Sequence, residues 1–389
     1  MSKILLGVSS SFCANFLKGQ VEFLVSEGYE VTIISGAGEE ISMLAKKENA
    51  RLITIPFSKA ISPLKDVNQL VQIIRILKNE KPDIVNAGNP KSGFLIMLAC
   101  WMIGFKSRMF TLHGLLSDTK TGFKRWLVSL TEKISCNIAK TVIVVSPSLK
   151  VHAEQRKILP LKKGVVIENG SYNGIDTKIF SRTEFLLTQS NELKEKIGLQ
   201  QDAVVLGFVG RLSKDKGIDI LFEAFNLLVK KYPFLRLILA GPLSKENMFS
   251  ELSAHQLYFD ERVFYLGKMI DVTPVYGVID ILVLPSLREG FGNVLIEAAA
   301  MEIPVIASEI PGCKDAVRNN INGYLFEKGN VFELCNYLKK LITDKNLRNE
   351  FGQNGKTFVK SNFNNYKIWK GQLDLYNKIL QINKSNKCY

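Results

Sequence analysis

The segment Arg288-Glu-Gly-Phe-Gly-Asn-Val-Leu-Ile-Glu297 sets two glutamates eight positions apart in otherwise apolar surroundings. Carboxylates seldom lie among apolar residues without a partner. Each ionised carboxylate offers two acceptor oxygens, which suits a pair of hydroxyls. Between the glutamates, Gly290 and Gly292 let backbone approach a ligand closely. A helix starting near Gly292 would present unpaired amides and the positive end of its dipole, where a phosphate fits. The competing reading is a surface glutamate followed by a helix-capping one.

A second constellation is Gly210-Arg-Leu-Ser-Lys-Asp-Lys-Gly217, which follows the apolar run Val205-Leu-Gly-Phe-Val209. A strand entering Gly210 and Arg211, with Lys214 and Lys216 just before a helix, puts cations and free amides at the carboxyl edge of a sheet. That suits a diphosphate. A solvated basic loop fits the same residues.

The elements that must position these residues are legible in the hydrophobic pattern. Short β-branched or apolar runs at 4–8, 29–35, 51–55, 83–86, 109–112 and 141–146 alternate with helical periods such as 15–27 and 65–79. The pattern breaks into turn residues after 165, and 177–201 reads as a polar stretch. Alternation then resumes, with strands at 203–210, 236–240, 263–266, 279–285, 304–307 and 324–326 and a helix over 218–232. Strand and helix in alternation predict parallel sheets covered on both faces. The expected fold is α/β: two Rossmann-like domains facing a central cleft, with ligands at the carboxyl ends of the strands. The boundaries fall at 1–176 and 177–364, with a last helix over 365–389 crossing back to the first domain.

Composition narrows the class. With 389 residues the chain exceeds one ordinary core. Six scattered cysteines, including Cys388, and three histidines offer no metal-ligand spacing and read as reduced thiols of a cytoplasmic protein. The uncharged run 93–105 is shorter than the roughly 20 residues of a spanning helix, and the N-terminus reads as a buried strand rather than a signal peptide. A surplus of 51 basic over 37 acidic residues, net +14, points to an anionic partner. A basic nucleic-acid-binding protein is an alternative that would explain the charge, but no nucleic-acid motif accompanies it, so no nucleic-acid partner is expected.

Taken together, Glu289-Gly-Phe-Gly-x4-Glu297 and Gly210-Arg-Leu-x3-Lys-Gly217 resemble the retaining nucleotide-sugar glycosyltransferases of family 4, which have the GT-B fold. Thr111-Leu-His-Gly-Leu, Val144-Val-Ser-Pro-Ser, Asn169-Gly-x2-Asn-Gly-Ile-Asp176, Val263-Phe-Tyr-Leu-Gly267, Pro311-Gly and Asn322-Gly-Tyr-Leu-Phe326 extend the resemblance in order along the chain. It implies that Arg211 and Lys216 bind the donor diphosphate and that Glu289 holds hydroxyls of the transferred sugar. Gly210, Gly290, Phe291, Gly292 and Asn293 would line the donor, Glu297 would bind the ribose diol, and the loop at Gly267 would meet the nucleobase. His113 would lie near the reacting carbon. The sequence departs from many relatives after the first strand, where Ser9-Ser-Ser-Phe-Cys13 replaces a double-glycine loop. Ser10, Ser11 and Lys91 are the acceptor-side candidates. The donor is expected to be a uridine diphosphate sugar, with no cofactor and no metal, since no Asp-x-Asp stands at a strand end. An epimerase or hydrolase acting on nucleotide sugars is the alternative enzyme.

Over 121–140, Phe123, Trp126, Leu127, Leu130, Ile134 and Ile138 recur at helical spacing among Lys120, Lys124, Arg125, Lys133 and Lys140. Such a helix either lies on an anionic leaflet or packs on its own domain. With the basic surplus, the first reading predicts a lipid-linked sugar acceptor and a peripheral site on the inner face of a bacterial plasma membrane. The overall resemblance is to enzymes of capsule and O-antigen synthesis.

Overall fold

The computed structural model describes residues 1–57, 62–244 and 247–385. Cys388 and the end of the expected last helix lie outside them. The chain divides into two compact units: residues Met1–Gly174 with the segment from Asn365 onward, and residues Ile175–Asn364.

The first unit is built on seven parallel strands: β1 (Lys3–Gly7), β2 (Glu30–Ser35), β3 (Arg51–Thr54), β4 (Ile84–Gly88), β5 (Arg108–Leu112), β6 (Thr141–Val144) and β7 (Gly164–Val165). They lie in the order β3-β2-β1-β4-β5-β6-β7. The second unit has six parallel strands: β8 (Val204–Val209), β9 (Leu235–Ala240), β10 (Val263–Tyr265), β11 (Ile281–Leu284), β12 (Val305–Ser308) and β13 (Gly323–Phe326). Their order is β10-β9-β8-β11-β12-β13. The strands are apolar almost throughout because helices cover both faces of each sheet. In each unit the order reverses once, between β1 and β4 and between β8 and β11. Loops leaving those neighbouring strands diverge to opposite faces, which opens a crevice at their carboxyl ends.

Three local expectations need correction. The predicted helix over 15–27 is two, Ala14–Leu17 and Gln20–Ser26, broken at Gly19. The Glu48 carboxylate accepts the N–H groups of Gly19 at 2.7 Å and Glu22 at 3.1 Å, and so caps the second piece from a distant segment. The polar stretch 177–201 contains a helix, Glu184–Lys196, whose N-terminus is capped by the Thr183 hydroxyl. It buries little beyond Leu186 and Ser190, so its apolar period is faint in the sequence. Strand β7 is only two residues long, too short to carry an apolar period of its own.

The helix Asn365–Ser385 joins the first unit through a polar seam as well as through the buried Leu373 and Tyr376. Gln372 is buried; its side-chain oxygen accepts the Gln20 amide N–H, and its own amide donates to the Tyr172 carbonyl at 2.6 Å. The Asn86 amide donates to the Tyr376 hydroxyl at 2.8 Å, and Thr111 donates to Asn86 at 2.8 Å. Most buried polar atoms in this series are paired, which makes their burial tolerable; the exception is Gln20 Oε1, which has no hydrogen-bond partner.

Candidate active site

In the second unit, the loop after β8 carries Gly210–Gly217 and the loop after β11 carries Pro285–Gly292. Because β8 and β11 are neighbours at the order reversal, residues more than 70 positions apart in sequence meet. Lys216 Nζ donates to Glu289 Oε1 at 2.5 Å, and the Ser286 hydroxyl donates to the same oxygen at 2.7 Å. The Glu289 side chain is only 10% exposed.

Gly217 makes this approach possible. Its φ is +74°, and a Cβ there would lie 1.9 Å from the Pro285 carbonyl oxygen. The residue therefore lets the short turn Lys214–Lys216 close onto the end of β11.

Beside the pair lies a cationic cluster organised by Asp215, a residue that motif reasoning passed over. Its carboxylate accepts the Ser213 hydroxyl and the Asn247 amide, each at 2.6 Å. The guanidiniums of Arg211 and Arg288 stand 3.4 and 3.5 Å from its second oxygen. Burial alone would raise the Asp215 carboxyl. The Ser213 hydroxyl, Arg211, Arg288 and Lys216 outweigh that and hold it below the usual carboxylate range. Arg211 is the exposed member of the cluster, as is Lys214 nearby. Arg288 was visible in the motif, next to Glu289, but only the fold turns it towards Asp215.

The helix Asn293–Ala300 begins where the spacing predicted, with Gly292 as its N-cap at φ +77°. Gly290 is backed by Gly312, where a Cβ would meet the Gly290 carbonyl at 2.6 Å. The Phe291 ring is buried, edge-on to Phe363 at 5.1 Å, and anchors the turn to the core. Glu297 is half-buried and accepts the Tyr276 hydroxyl at 2.6 Å. Burial pushes its carboxyl above the usual range, and the tyrosine bond only partly opposes this. Gly267 follows β10, and its carbonyl accepts the Gly241 N–H at 2.8 Å. Gly210, at the end of β8, donates its N–H to the Ala240 carbonyl at 2.9 Å.

In the first unit, His113 follows β5. Its ring stacks on Phe16 at 5.2 Å and meets the Tyr172 ring edge-on at 4.9 Å. A Cβ on Gly88 would lie 2.6 Å from Nε2, so the ring occupies space that only a glycine leaves. Burial lowers the His113 pKa to about 4 from an ordinary 6.5. The unfolded chain thus takes up this proton well before the folded one, and the neutral ring stabilises the fold fully above pH 6.5. That contribution is expected to be lost as pH falls from 6.5 towards 4. An imidazole nitrogen titration by NMR checks this, and a midpoint near 6.5 would contradict it.

Ser11 is buried; its hydroxyl donates to Glu40 at 2.5 Å and accepts the Ile41 N–H at 3.1 Å. Those bonds tie the first loop to the helix Glu39–Lys47. Ser10, half-buried, lies 3.7 Å from the Cys13 sulfur, and Lys91 pairs with Asp66 at 2.6 Å.

The helix Gly122–Ile138 turns its sides in an unusual sense. Glu132, Ser135 and Cys136 face inward, the Glu132 carboxylate accepting the Ser117 hydroxyl at 2.6 Å. Phe123 and Trp126 are 73% and 58% exposed, stacked at 5.6 Å, and Leu130 continues the stripe. Lys120, Lys124 and Arg125 are exposed or nearly so around them. An outward apolar stripe rimmed by cations is atypical of a free surface.

Two parallel-sheet α/β units, with these motifs at a strand-order reversal, define the GT-B class of glycosyltransferases. Residues 14–178 match Glycosyltransferase Family 4, and residues 189–358 match Glycosyl transferases group 1. The chain belongs to this glycosyltransferase family. It is 34% identical over 380 residues to the capsular polysaccharide biosynthesis glycosyltransferase CapM of Staphylococcus aureus, covering 97% of this chain and 98% of that one. It is 25% identical, over 92% of this chain and 91% of the relative, to the UDP-Gal:alpha-D-GlcNAc-diphosphoundecaprenol alpha-1,3-galactosyltransferase of Escherichia coli. Among solved structures, Anabaena Alr3699/HepE in complex with UDP and glucose has a TM-score of 0.79 at 19% identity, covering 97% of this chain and 100% of that one. A glycosyltransferase from Rickettsia africae has a TM-score of 0.78 at 24% identity, covering 97% and 98%.

Proposed function

We propose that the protein is a retaining, metal-independent glycosyltransferase. In this reading it moves a sugar from a uridine diphosphate donor to a sugar on polyprenyl diphosphate, in bacterial capsule or O-antigen synthesis. The observation that carries the donor side is the Lys216–Glu289 pair set beside Arg211, Asp215 and Arg288 at one strand-order reversal. The donor nucleotide and the lipid-linked acceptor are taken from the E. coli relative, whose name specifies both classes.

Departure of a nucleoside diphosphate builds negative charge on the bridging phosphate. Cations fixed beforehand stabilise that charge without reorganising. Lys216 has three donors, so it can hold Glu289 and still reach a phosphate, and Arg211 supplies a bidentate fork. Both donors to Glu289 take Oε1, and Oε2 is assigned to hydroxyls of the transferred sugar. Glu297, held by Tyr276 through one oxygen, is assigned to the ribose diol. Gly290, Gly292 and Asn293 bring backbone to the phosphates, and the Gly267 loop meets the nucleobase. His113 is assigned a hydrogen bond to a sugar hydroxyl as a neutral imidazole, a state its low pKa favours. Retention is attributed to front-face attack assisted by the leaving phosphate, through an oxocarbenium-like state. Neither glutamate is assigned as a nucleophile.

Ser10 and Lys91 are the acceptor-side candidates in the first unit, while Ser11 is already committed to Glu40. The outward stripe Phe123–Trp126–Leu130 with its cations is proposed to rest on an anionic leaflet, which would place the enzyme peripherally on the inner face of the plasma membrane. Among the described residues no helix is long and apolar enough to cross a membrane.

Transfer from a panel of nucleotide sugars to a polyprenyl-diphosphate sugar tests the reading. A lengthened acceptor with the donor's anomeric configuration, formed in the presence of a chelator, is expected. An inverted linkage, a free sugar or an epimer as sole product would overturn it. Glu297→Gln is expected to raise the dissociation constant for the nucleotide sugar about tenfold or more, the loss of one charged hydrogen bond of about 1.5–3 kcal/mol. Its kcat at saturation should stay near wild type, and titration calorimetry with turnover measurements separates the two.

A further inference from the structure

We infer that an open cavity beside the helix Gly122–Ile138 binds the phosphoryl head of a lipid. The inference rests on the membrane reading above and names what that surface recognises. The cavity measures about 370 Å³, within the range of ligand sites, and its walls include Arg125, Trp126, Ser129, Leu130, Lys133 and Arg156.

Arg125, Ser129 and Lys133 recur every four residues and so share one face of the helix. Arg156 comes from outside it, at the end of the helix Pro147–Gln155. Its guanidinium is held by the Asp118 carboxylate and by the Ser117 hydroxyl at 3.0 Å. Ser117 in turn donates to the buried Glu132. Arg156 is therefore fixed in place before any ligand arrives, unlike a lysine on a free surface. Three cations border the cavity. The nearby carboxylates are Asp118, already engaged by Arg156 and His152, and Glu132, which is turned to Ser117. A phosphate or diphosphate matches that charge, and a planar guanidinium matches its oxygens.

The apolar wall selects the source. Trp126 and Leu130 border the cavity, and Phe123 stacked on Trp126 carries the same surface outward. A soluble anion would leave those rings in water. A phosphate on an acyl or prenyl tail would cover them, with its head among the cations and its tail along the stripe. The geometry thus assigns the cavity to a phosphorylated lipid, of which polyprenyl diphosphate is the class that the proposed reaction uses.

Vesicle co-sedimentation tests this, with phosphatidylcholine vesicles holding either polyprenyl diphosphate or phosphatidylglycerol at matched surface charge. Wild type is expected to bind the first about tenfold more tightly, the effect of one or two charge-assisted hydrogen bonds. Arg156→Lys keeps the charge but loses the fork, and Ser129→Phe fills the cavity without touching the Arg156–Asp118 pair. Both should lose the tenfold excess and bind phosphatidylglycerol vesicles as wild type does. Equal wild-type binding to the two vesicles would overturn the cavity assignment while the membrane reading stood. Binding to neither would overturn the membrane reading as well. Competition by inorganic diphosphate that matches a short-chain prenyl diphosphate would show that the tail contributes nothing, and would overturn the lipid assignment.

Discussion

Glu289→Gln is expected to lower kcat for sugar transfer by about a hundred- to a thousandfold, the scale seen when one preorganised polar group is removed from a transition state. The substitution keeps the shape of the side chain and its acceptance of the Ser286 hydroxyl. It removes the charge that faces Lys216 at 2.5 Å and weakens the acceptor offered to the sugar hydroxyls. Lys216 is then free of its carboxylate and available to phosphate, so affinity for the nucleoside diphosphate alone should hold or improve. The signature is therefore a split: kcat falls steeply while the dissociation constant of the diphosphate does not rise. A merely structural carboxylate would instead move melting temperature and leave turnover of the folded enzyme near normal. Steady-state kinetics, nucleotide calorimetry and thermal denaturation decide between the two, and near-normal turnover would sink the site assignment.

The second large effect is expected at Gly217, which touches no proposed substrate. Gly217→Ala places a Cβ 1.9 Å from the Pro285 carbonyl oxygen and 2.7 Å from its carbon. Both atoms are backbone at the end of a buried strand, so they cannot swing aside as a side chain would. The residue also sits at φ +74°, which costs an L-residue about 1–2 kcal/mol. Overpacking adds roughly another 1–3 kcal/mol. Together they should lower the melting temperature of a unit this size by about 5–15 °C. The turn that carries Lys216 must retreat from β11, so transfer should fall with the Lys216–Glu289 contact. Gly198→Ala is the control. Its φ is +66°, but nothing lies within 4 Å of the added Cβ, so it isolates the dihedral cost. Equal effects of the two substitutions would mean that the close approach to Pro285 does not matter.

Much of the candidate site is legible in the sequence because its motifs are local. A glycine turn, a helix start and a glutamate eight positions on are fixed by spacing along one stretch of chain. The alternation of apolar runs likewise specifies two parallel-sheet units, since buried strands and amphipathic helices differ in period. The helix from Asn293 accordingly starts where the glycines end the preceding turn, with Glu297 one turn in.

Other features have no local signature. The predicted helix over 15–27 is split at Gly19 by a carboxylate from Glu48, which no pattern within the helix announces. Nothing local marks Gln372 as buried, yet it lies against Gln20 and the Tyr172 carbonyl in the interior. Apolar periodicity shows that the helix Gly122–Ile138 has a stripe but not which way the stripe faces. In the fold Glu132, bonded to Ser117, faces inward with Ser135 and Cys136, and Phe123 and Trp126 lie outside.

Sequence by itself therefore determined the class of fold and the residue types of the candidate site motifs, because both follow from short-range spacing and period. The tertiary structure alone decided which charges meet: Lys216 with Glu289, and Asp215 with both Arg211 and Arg288. Those meetings depend on β11 lying beside β8. That placement is the outcome of packing a whole sheet between two layers of helices, and no stretch of residues carries it alone.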